Sequence, residues 1–291
     1  MIVTENMDLR VRDIPVNTRT IIAYTNLDLD IKCIFQTFPT DEYSESDTVI
    51  FETLYYGNEI RGKVPNKARK ASFRNAINVI GVMKTIDKKI NFKVSKNGKF
   101  QLTGCKEEEH AYRMVERFIY QLLRSCPPSA VRWKEEEKEE EKDIRISFRT
   151  VMTNIDFSIG FLINRLKLDE LINQTRDMYS LLETSCGYTG VNIKFPLSPF
   201  PWKTFIPTMI LNSDPTKQPF LKSISPRFHA EKCTNMQKQR YNTFLVFHSG
   251  NIIMSGMDID SMEDHFNLFI SLLREWRPFI EEKIIETPYT S

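Results

Sequence analysis

The stretches Ser95-Lys-Asn-Gly-Lys-Phe-Gln-Leu-Thr-Gly104 and Phe247-His-Ser-Gly-Asn-Ile-Ile-Met-Ser-Gly256 share one pattern. Each contains a glycine turn, a short strand with alternating apolar residues, and a small residue followed by glycine. An acidic first turn and apolar residues at helical spacing follow each stretch. Two copies of such a hairpin predict a duplicated domain.

The segments around each hairpin occur in the same order in both halves of the chain. In the first half, strands are predicted at residues 18–24, 49–56, 76–83 and 90–94, and a long helix is predicted after Lys106. In the second half, strands are predicted at residues 144–152, 188–195 and 241–247, and a second long helix follows the hairpin. Each half therefore predicts an α+β unit with helices on one face of an antiparallel sheet.

A run of seven acids and three lysines from Trp133 to Asp143 separates the two halves. We therefore predict a first repeat at residues 1–126, a charged linker at 127–143 and a second repeat at 144–291. The second repeat carries a basic, proline-rich and loop-rich insertion at about 196–240. This insertion and the basic segment 57–75 are either solvated loops or contacts for phosphate or a partner. Residues 1–16 are polar and are expected to be frayed.

Matched Thr-Asn pairs precede an apolar segment in each half. Because asparagine is a preferred N-cap, Asn26 and Asn154 are predicted to cap helices, with a contact role as the alternative. If the two sheets join edge to edge, one long twisted sheet forms, and its face without helices needs a partner.

Composition and motifs narrow the functional class. The net charge is only +2, and five scattered cysteines indicate reduced thiols. The spacing of His229 and Cys233 suits a metal, but a second ligand pair is missing, so neither a metal nor a cofactor is expected. No arrangement of residues predicts an enzyme. No apolar run of membrane-spanning length and no signal peptide occur, so we expect an intracellular protein with no membrane partner.

Three motifs resemble those of the TATA-binding protein (TBP) family. Residues 247–256 resemble Phe-x-Ser-Gly-Lys-x-Val-x-Thr-Gly, and Gly98–Glu108 resembles Gly-Lys-x-Val-x-Thr-Gly-Ala-Lys-Ser-Glu. Leu29-Asp-Ile-Lys32 resembles the Leu-Asp-Leu-Lys that opens the family's first helix. The sequence is most similar to the divergent TBP-like proteins of large DNA viruses. The resemblance implies a duplicated saddle, in which a curved antiparallel sheet carries helices on its convex face and grips the DNA minor groove.

The resemblance also implies DNA contacts in both hairpins. The family's groove-facing threonines fall on Thr103 and Ser255, and its valines two residues earlier fall on Gln101 and Ile253. Ile253 keeps the apolar contact, whereas the amide of Gln101 can read a base edge.

Apolar wedges that kink the DNA are implied as well. One wedge of the second half falls on Phe247, Leu245 lies on the same strand face, and a second wedge falls near Tyr188. The first hairpin turn is taken to be one residue longer, which leaves its register open. The first-half candidates are Phe92, Val94 and, more remotely, Phe73.

The family reads the centre of its site with an asparagine in the first strand of each half. These positions are predicted to fall on Thr20 and Phe148, with Ile22 and Thr150 beside them, so the central asparagine pair is missing. Lys99 and Lys106 keep the phosphate-contact charges in the first half. Their second-half counterparts are Asn251, Met257 and Asp258.

The resemblance implies a general transcription factor that binds double-stranded promoter DNA and recruits a TFIIB-like factor and RNA polymerase. The expected location is the nucleus or a viral factory in the host cytoplasm, with packaging in the virion as a further option. An alternative is a protein-interaction scaffold of the transcription machinery that lacks DNA binding. A third, weaker hypothesis is a pocket in the sheet for a small apolar ligand.

Overall fold

The computed structural model describes residues 2–3, 9–40, 48–64, 75–134, 143–175, 178–182, 190–197, 206–211, 219–224 and 239–283. The helices are α1 (Ile31–Thr37), α2 (Glu108–Ser125), α3 (Arg165–Gln174) and α4 (Ile259–Ile280). The strands are β1 (Ile2–Val3), β2 (Val16–Thr25), β3 (Leu27–Leu29), β4 (Val49–Tyr56), β5 (Glu59–Gly62), β6 (Ala76–Met83), β7 (Lys88–Ser95), β8 (Lys99–Cys105), β9 (Val131–Trp133), β10 (Ile144–Ser158), β11 (Tyr179–Leu182), β12 (Gly190–Pro196), β13 (Ile206–Leu211), β14 (Phe220–Ile224), β15 (Tyr241–Phe247) and β16 (Asn251–Gly256).

Two compact units are present, and the chain passes from one to the other within β2, within β10 and at two points between β12 and β15. The first unit comprises Thr18–Val151 and Trp202–Cys233, and the second comprises Met1–Asn17, Met152–Pro201 and Thr234–Ser291. The predicted α+β class with a repeated arrangement of sheet and helices is confirmed.

In the first unit, the antiparallel strands follow the order β2-β8-β7-β6-β4-β5. Helices α1 and α2 cover one face of this sheet, and on that face alternate residues of β7 and β8 are apolar and buried. The core is centred on Phe118 of α2. Its ring packs 4.5 Å from that of Phe38, 5.4 Å from Phe51 and 5.6 Å from both Phe92 and Phe100.

In the second unit, the antiparallel strands follow the order β11-β12-β15-β16-β10, and β1 pairs in parallel with β10. Helices α3 and α4 cover one face, and Phe244 packs on Phe269 of α4 with 4.1 Å between ring centroids. The amino-terminal segment is part of this unit, because Val11 and Ile14 are buried in its core. The expectation that residues 1–16 are frayed is wrong for the described residues 9–16.

Part of the predicted insertion is regular structure in the first unit. Strand β13 pairs with the first four residues of β10, Ile144–Ser147, and β14 pairs with β13. Met209 and Leu211 of β13 are buried in the core of the first unit. The insertion is therefore not only a loop, since apolar alternation in β13 extends the first sheet.

The helix caps differ from those predicted. The side chain of Asp30 accepts the backbone N–H groups of Lys32 and Cys33 at the start of α1. Asn164 caps α3. Asn26 instead donates its amide to the carbonyl of Asp143 and accepts the N–H of Arg145. The predicted caps at Asn26 and Asn154 are wrong, because strand structure continues past both residues.

The two hairpins have the same turn and the same glycine contact. Gly98 has a φ of +65° and Gly250 a φ of +78°. A Cβ at Gly98 would lie 2.1 Å from the carbonyl oxygen of Leu27, and a Cβ at Gly250 would lie 2.2 Å from that of Phe161. Only glycine fits this conformation and this approach to rigid backbone.

We predict that Gly98→Ala and Gly250→Ala each lower the free energy of unfolding by at least about 1–3 kcal/mol, from backbone strain and steric overlap. Urea denaturation of the full chain measures this. Lys96→Ala and Ser249→Ala, at exposed positions of the same turns, are the controls and are expected to change stability by less than about 0.5 kcal/mol. Equal stability of the glycine variants and the wild type would contradict the prediction.

Candidate nucleic-acid interface

The face of the first sheet opposite α1 and α2 is here called the first open face. In β8, Phe100 and Leu102 are buried in the core, so Gln101 and Thr103 point to the other side and are exposed. Thr20 and Ile22 of β2 pair with Thr103 and Gln101 and therefore share their face. The first open face consists of Thr20, Ile22, Tyr24, Lys89, Asn91, Lys93, Lys99, Gln101 and Thr103.

Lysines give the first open face its positive charge. Lys93 lies opposite Gln101, and Lys99 lies at the start of β8 with its Nζ 5.8 Å from the ring centroid of Tyr24. Lys89 bonds Glu52 at 2.8 Å, and this hydrogen bond and the nearby carboxylate raise the pKa of the lysine. Lys106 is exposed between β8 and α2. Such lysines suit contacts with phosphate.

The face of the second sheet opposite α3 and α4 is here called the second open face. Ile252 and Met254 of β16 are buried in the core, which leaves Ile253 and Ser255 half-buried on the other side. The strand pairings align the remaining members with these two. The second open face consists of Asn154, Asp156, Tyr179, Leu181, Asn192, Lys194, Thr243, Leu245, Phe247, Asn251, Ile253 and Ser255.

Apolar side chains form the middle of the second open face. Leu245 lies opposite Ile253 and Asn192, and Phe247 lies opposite Gly190. A Cβ at Gly190 would come within 2.6 Å of Leu245 Cδ1, so the glycine makes room for the leucine. The predicted placement of Leu245, Phe247, Ile253 and Ser255 on one face is observed.

The predicted first-half wedges are on the wrong side of the sheet. Phe92 and Val94 are buried in the core and face α2. The turns also have equal length, because Gly98 N–H bonds the carbonyl of Ser95 and Gly250 N–H bonds that of Phe247, both at 3.0 Å. Ser95 is therefore the counterpart of Phe247. The prediction that the first turn is one residue longer than the second is wrong.

Phe148 and Thr150 of β10, which were predicted to read the centre of the DNA site, also lie on the wrong side of the sheet. Phe148 packs on Tyr112 of α2 at 4.6 Å between ring centroids, and the Thr150 hydroxyl donates to Glu108 of α2 at 2.7 Å. Both side chains lie on the helix side. Asn154 pairs with Ser255 as Thr20 pairs with Thr103. The second-half counterpart of Thr20 is thus Asn154, and one asparagine does occupy the first strand of a repeat at this register.

Some predicted residues lie outside the described part of the chain. These residues are Phe73, Tyr188, His229 and Cys233. Within the described residues, no cluster of three or more histidine, cysteine or acidic side chains could hold a metal ion. The described helices include none that is both long and apolar enough to cross a membrane.

Asp156 is the acidic residue of the second open face, and it is among those that sequence reasoning missed. It pairs with Ile253, and its Oδ2 accepts a 2.6 Å hydrogen bond from Asn17. Burial raises the pKa of its carboxyl above the ordinary value of 3.8, and the hydrogen bond from Asn17 opposes this increase. The alternation of Ile155 and Phe157 as core residues could have identified it.

Comparison with known proteins relates part of this chain to one family. The model of the family described as "Transcription factor TFIID (or TATA-binding protein, TBP)" matches residues 63–125. This segment contains β6, β7, β8 and α2, and therefore the first hairpin. The predicted resemblance to the TBP family is confirmed, and the family model places it on residues 63–125.

Two particular proteins are similar over most of the chain. "Uncharacterized protein 335L" of Invertebrate iridescent virus 6 is 24% identical over 290 residues, which cover 95% of this chain and 82% of that protein. The structure called "Methanococcus jannaschii TBP" matches with a TM-score of 0.44 and 12% identity, over 90% of this chain and 98% of that one.

We predict that Asp156→Asn raises the free energy of unfolding at pH 7 and leaves it unchanged near pH 3. A carboxyl whose pKa is raised by folding contributes stability below its ordinary pKa and loses it as pH rises through the raised value. The asparagine removes this loss and can still accept from Asn17. Urea denaturation from pH 3 to 7, compared with exposed Asp264→Asn in α4, measures the difference. A wild type that matches Asp156→Asn at every pH would contradict it.

Proposed function

We propose that this TBP-like chain is a transcription factor that binds promoter DNA in the minor groove through its two open faces. The observation that supports this most is the second open face, where Leu245, Phe247 and Ile253 are half-buried apolar residues on the side of the sheet opposite α3 and α4. Minor-groove proteins insert such side chains between base steps and bend the duplex. The first open face supplies lysines for the phosphates.

The two open faces make different contributions to DNA binding in this proposal. Phe247 is the wedge of the second repeat, whereas its first-repeat counterpart is Ser95. Lys99 of the first repeat has Asn251 as its counterpart, because each residue opens the strand after its hairpin turn. Charge therefore comes mainly from the first repeat and wedging from the second. Sequence preference would arise largely from the deformability of the DNA.

The remaining partners follow from the resemblance to the TBP family. The proposed partners are a TFIIB-like factor and RNA polymerase subunits, bound on the helix side of the repeats. In α4, Leu268 and Phe279 are exposed apolar residues on that side. Exposed apolar side chains of this kind are typical of protein contacts.

A second candidate function is a TBP-like interaction scaffold without DNA binding. The carboxylate of Asp156 in the second open face favours it, since a negative charge repels the phosphate backbone. Recovery of a polymerase or factor subunit in a pull-down that is unaffected by nuclease, with no DNA shift at low salt, would select this candidate.

We predict that Phe247→Ala weakens binding to a promoter duplex by roughly tenfold and reduces its bend, because aromatic stacking on a base is lost. Gel shift at low salt gives the affinity, and energy transfer between dyes on the duplex ends gives the bend. Leu268→Ala, at an exposed position of α4, is the control and is expected to leave both unchanged. An unaltered bend in Phe247→Ala would exclude the wedge.

We also predict that Lys93→Ala and Lys99→Ala each make the plot of log affinity against log salt less steep. The negative slope should decrease in magnitude by about 0.9, the value for one lost phosphate contact. Affinities measured from about 50 to 200 mM salt give this slope. Lys167→Ala, at an exposed position of α3, is the matched control and should keep the wild-type slope. Wild-type slopes in both open-face variants would place these lysines away from the phosphates.

A further inference from the structure

Two hydrogen-bond acceptors on the second open face have no donor among the residues that the structure describes. Asn154 and Asp156 are two residues apart in β10 and therefore lie on the same side of the sheet. The Oδ1 atom of each is buried and has no hydrogen-bond partner, while Oδ2 of Asp156 is bonded by Asn17. A buried acceptor without a donor costs free energy, so this position suits a ligand that brings an N–H group.

The surface beside these acceptors is concave. A depression of about 520 Å³ is lined by Asp156, Phe247, Asn251 and Ile253, among others. The wedge side chain and the carboxylate therefore border the same space. A base edge next to a step opened by Phe247 would be in reach of Asp156.

The minor groove contains one kind of base-edge donor. A·T pairs present only the acceptors adenine N3 and thymine O2, whereas a G·C pair adds the N2 amino group of guanine. An ionised carboxylate only accepts hydrogen bonds, so it is matched to guanine and mismatched to A·T. The amide of Asn154 can rotate to present either its oxygen or its nitrogen, so it does not decide between the base pairs.

We propose that Asp156 is a specificity-determining residue that selects a G·C base pair, with the guanine N2 amino group donating to its carboxylate. This inference rests on the proposed minor-groove function and adds a base preference to it. The first repeat has Ile22 at the register position of Asp156, so the preference belongs to the second repeat alone. An arginine of a protein partner could also donate to the carboxylate, but Phe247 beside it favours a base.

Inosine provides the test, because it is guanine without the N2 amino group. Duplexes bound by the wild-type full chain are selected from a random library, and each guanine is then replaced by inosine in turn. We expect one position at which inosine weakens binding by about tenfold, the effect of one lost base contact. Replacement of the same guanine by 7-deazaguanine, which alters only the major groove, should leave binding unchanged.

The matched variant is Asp156→Val, and an apolar side chain fits there because Ile22 occupies the equivalent position in the first repeat. We expect this variant to bind guanine and inosine duplexes equally and to select A·T at that position. Asp28→Val, at an exposed position of β3, should behave as the wild type.

Three outcomes would overturn the inference. If the wild type binds DNA but does not distinguish guanine from inosine at any position, Asp156 does not read the base and the minor-groove function stands. If Asp156→Val keeps the inosine effect, another residue reads the amino group. If no DNA is bound at low salt, the proposed function fails, and the base preference fails with it.

Discussion

One backbone contact fixes the geometry of both repeats. The carbonyl oxygen of the hairpin glycine accepts the N–H of Thr25 in the first repeat and of Ile159 in the second, at 3.1 Å in each case. It can do so only because Gly98 and Gly250 have no side chain where another backbone passes. The contact ties the hairpin turn to the end of the first strand. It therefore sets which residues of that strand lie beside the hairpin, and hence which residues meet on each open face.

This constraint acts through the backbone, so the side chains of the open faces could diverge without altering the fold. Ser95 and Phe247 hold the same position, as do Lys99 and Asn251, and as do Ile22 and Asp156. The substituted residues differ in charge, size and hydrogen bonding. Two repeats of one architecture thus present chemically different surfaces, one basic and polar, the other apolar around a half-buried carboxylate.

Much of this could be predicted from the sequence, because strands and helices show their apolar periods directly. The two hairpins, α2 and the alternation in β8 and β16 were predicted in this way. The side of the sheet on which Phe92 lies was not predicted correctly. Alternation separates the two sides of a strand but does not say which side is buried. The prediction placed one extra residue in the first turn, and this shift of one residue assigned the core-facing side chains of β7 to the open face. Asn154 resembles a cap because its sequence matches that of Asn26, but Asn154 lies within β10 and is paired with Ser255, while the side chain of Asn26 bonds to the backbone of Asp143 and Arg145.

The insertion gives the chain an order of assembly. Strand β13 lies some 60 residues after its partner in β10, yet it buries Met209 and Leu211 in the core of the first unit. A ribosome adds about 5–20 residues per second. Several seconds therefore pass between the synthesis of Ile144 and the synthesis of β13, and the pairing of β10 with β13 cannot form before then. During that interval the edge of β10 at Ile144–Ser147 lacks its partner. Nearly half of the second repeat must be synthesised before the sheet of the first repeat is complete, so a nascent first repeat on its own has an incomplete sheet.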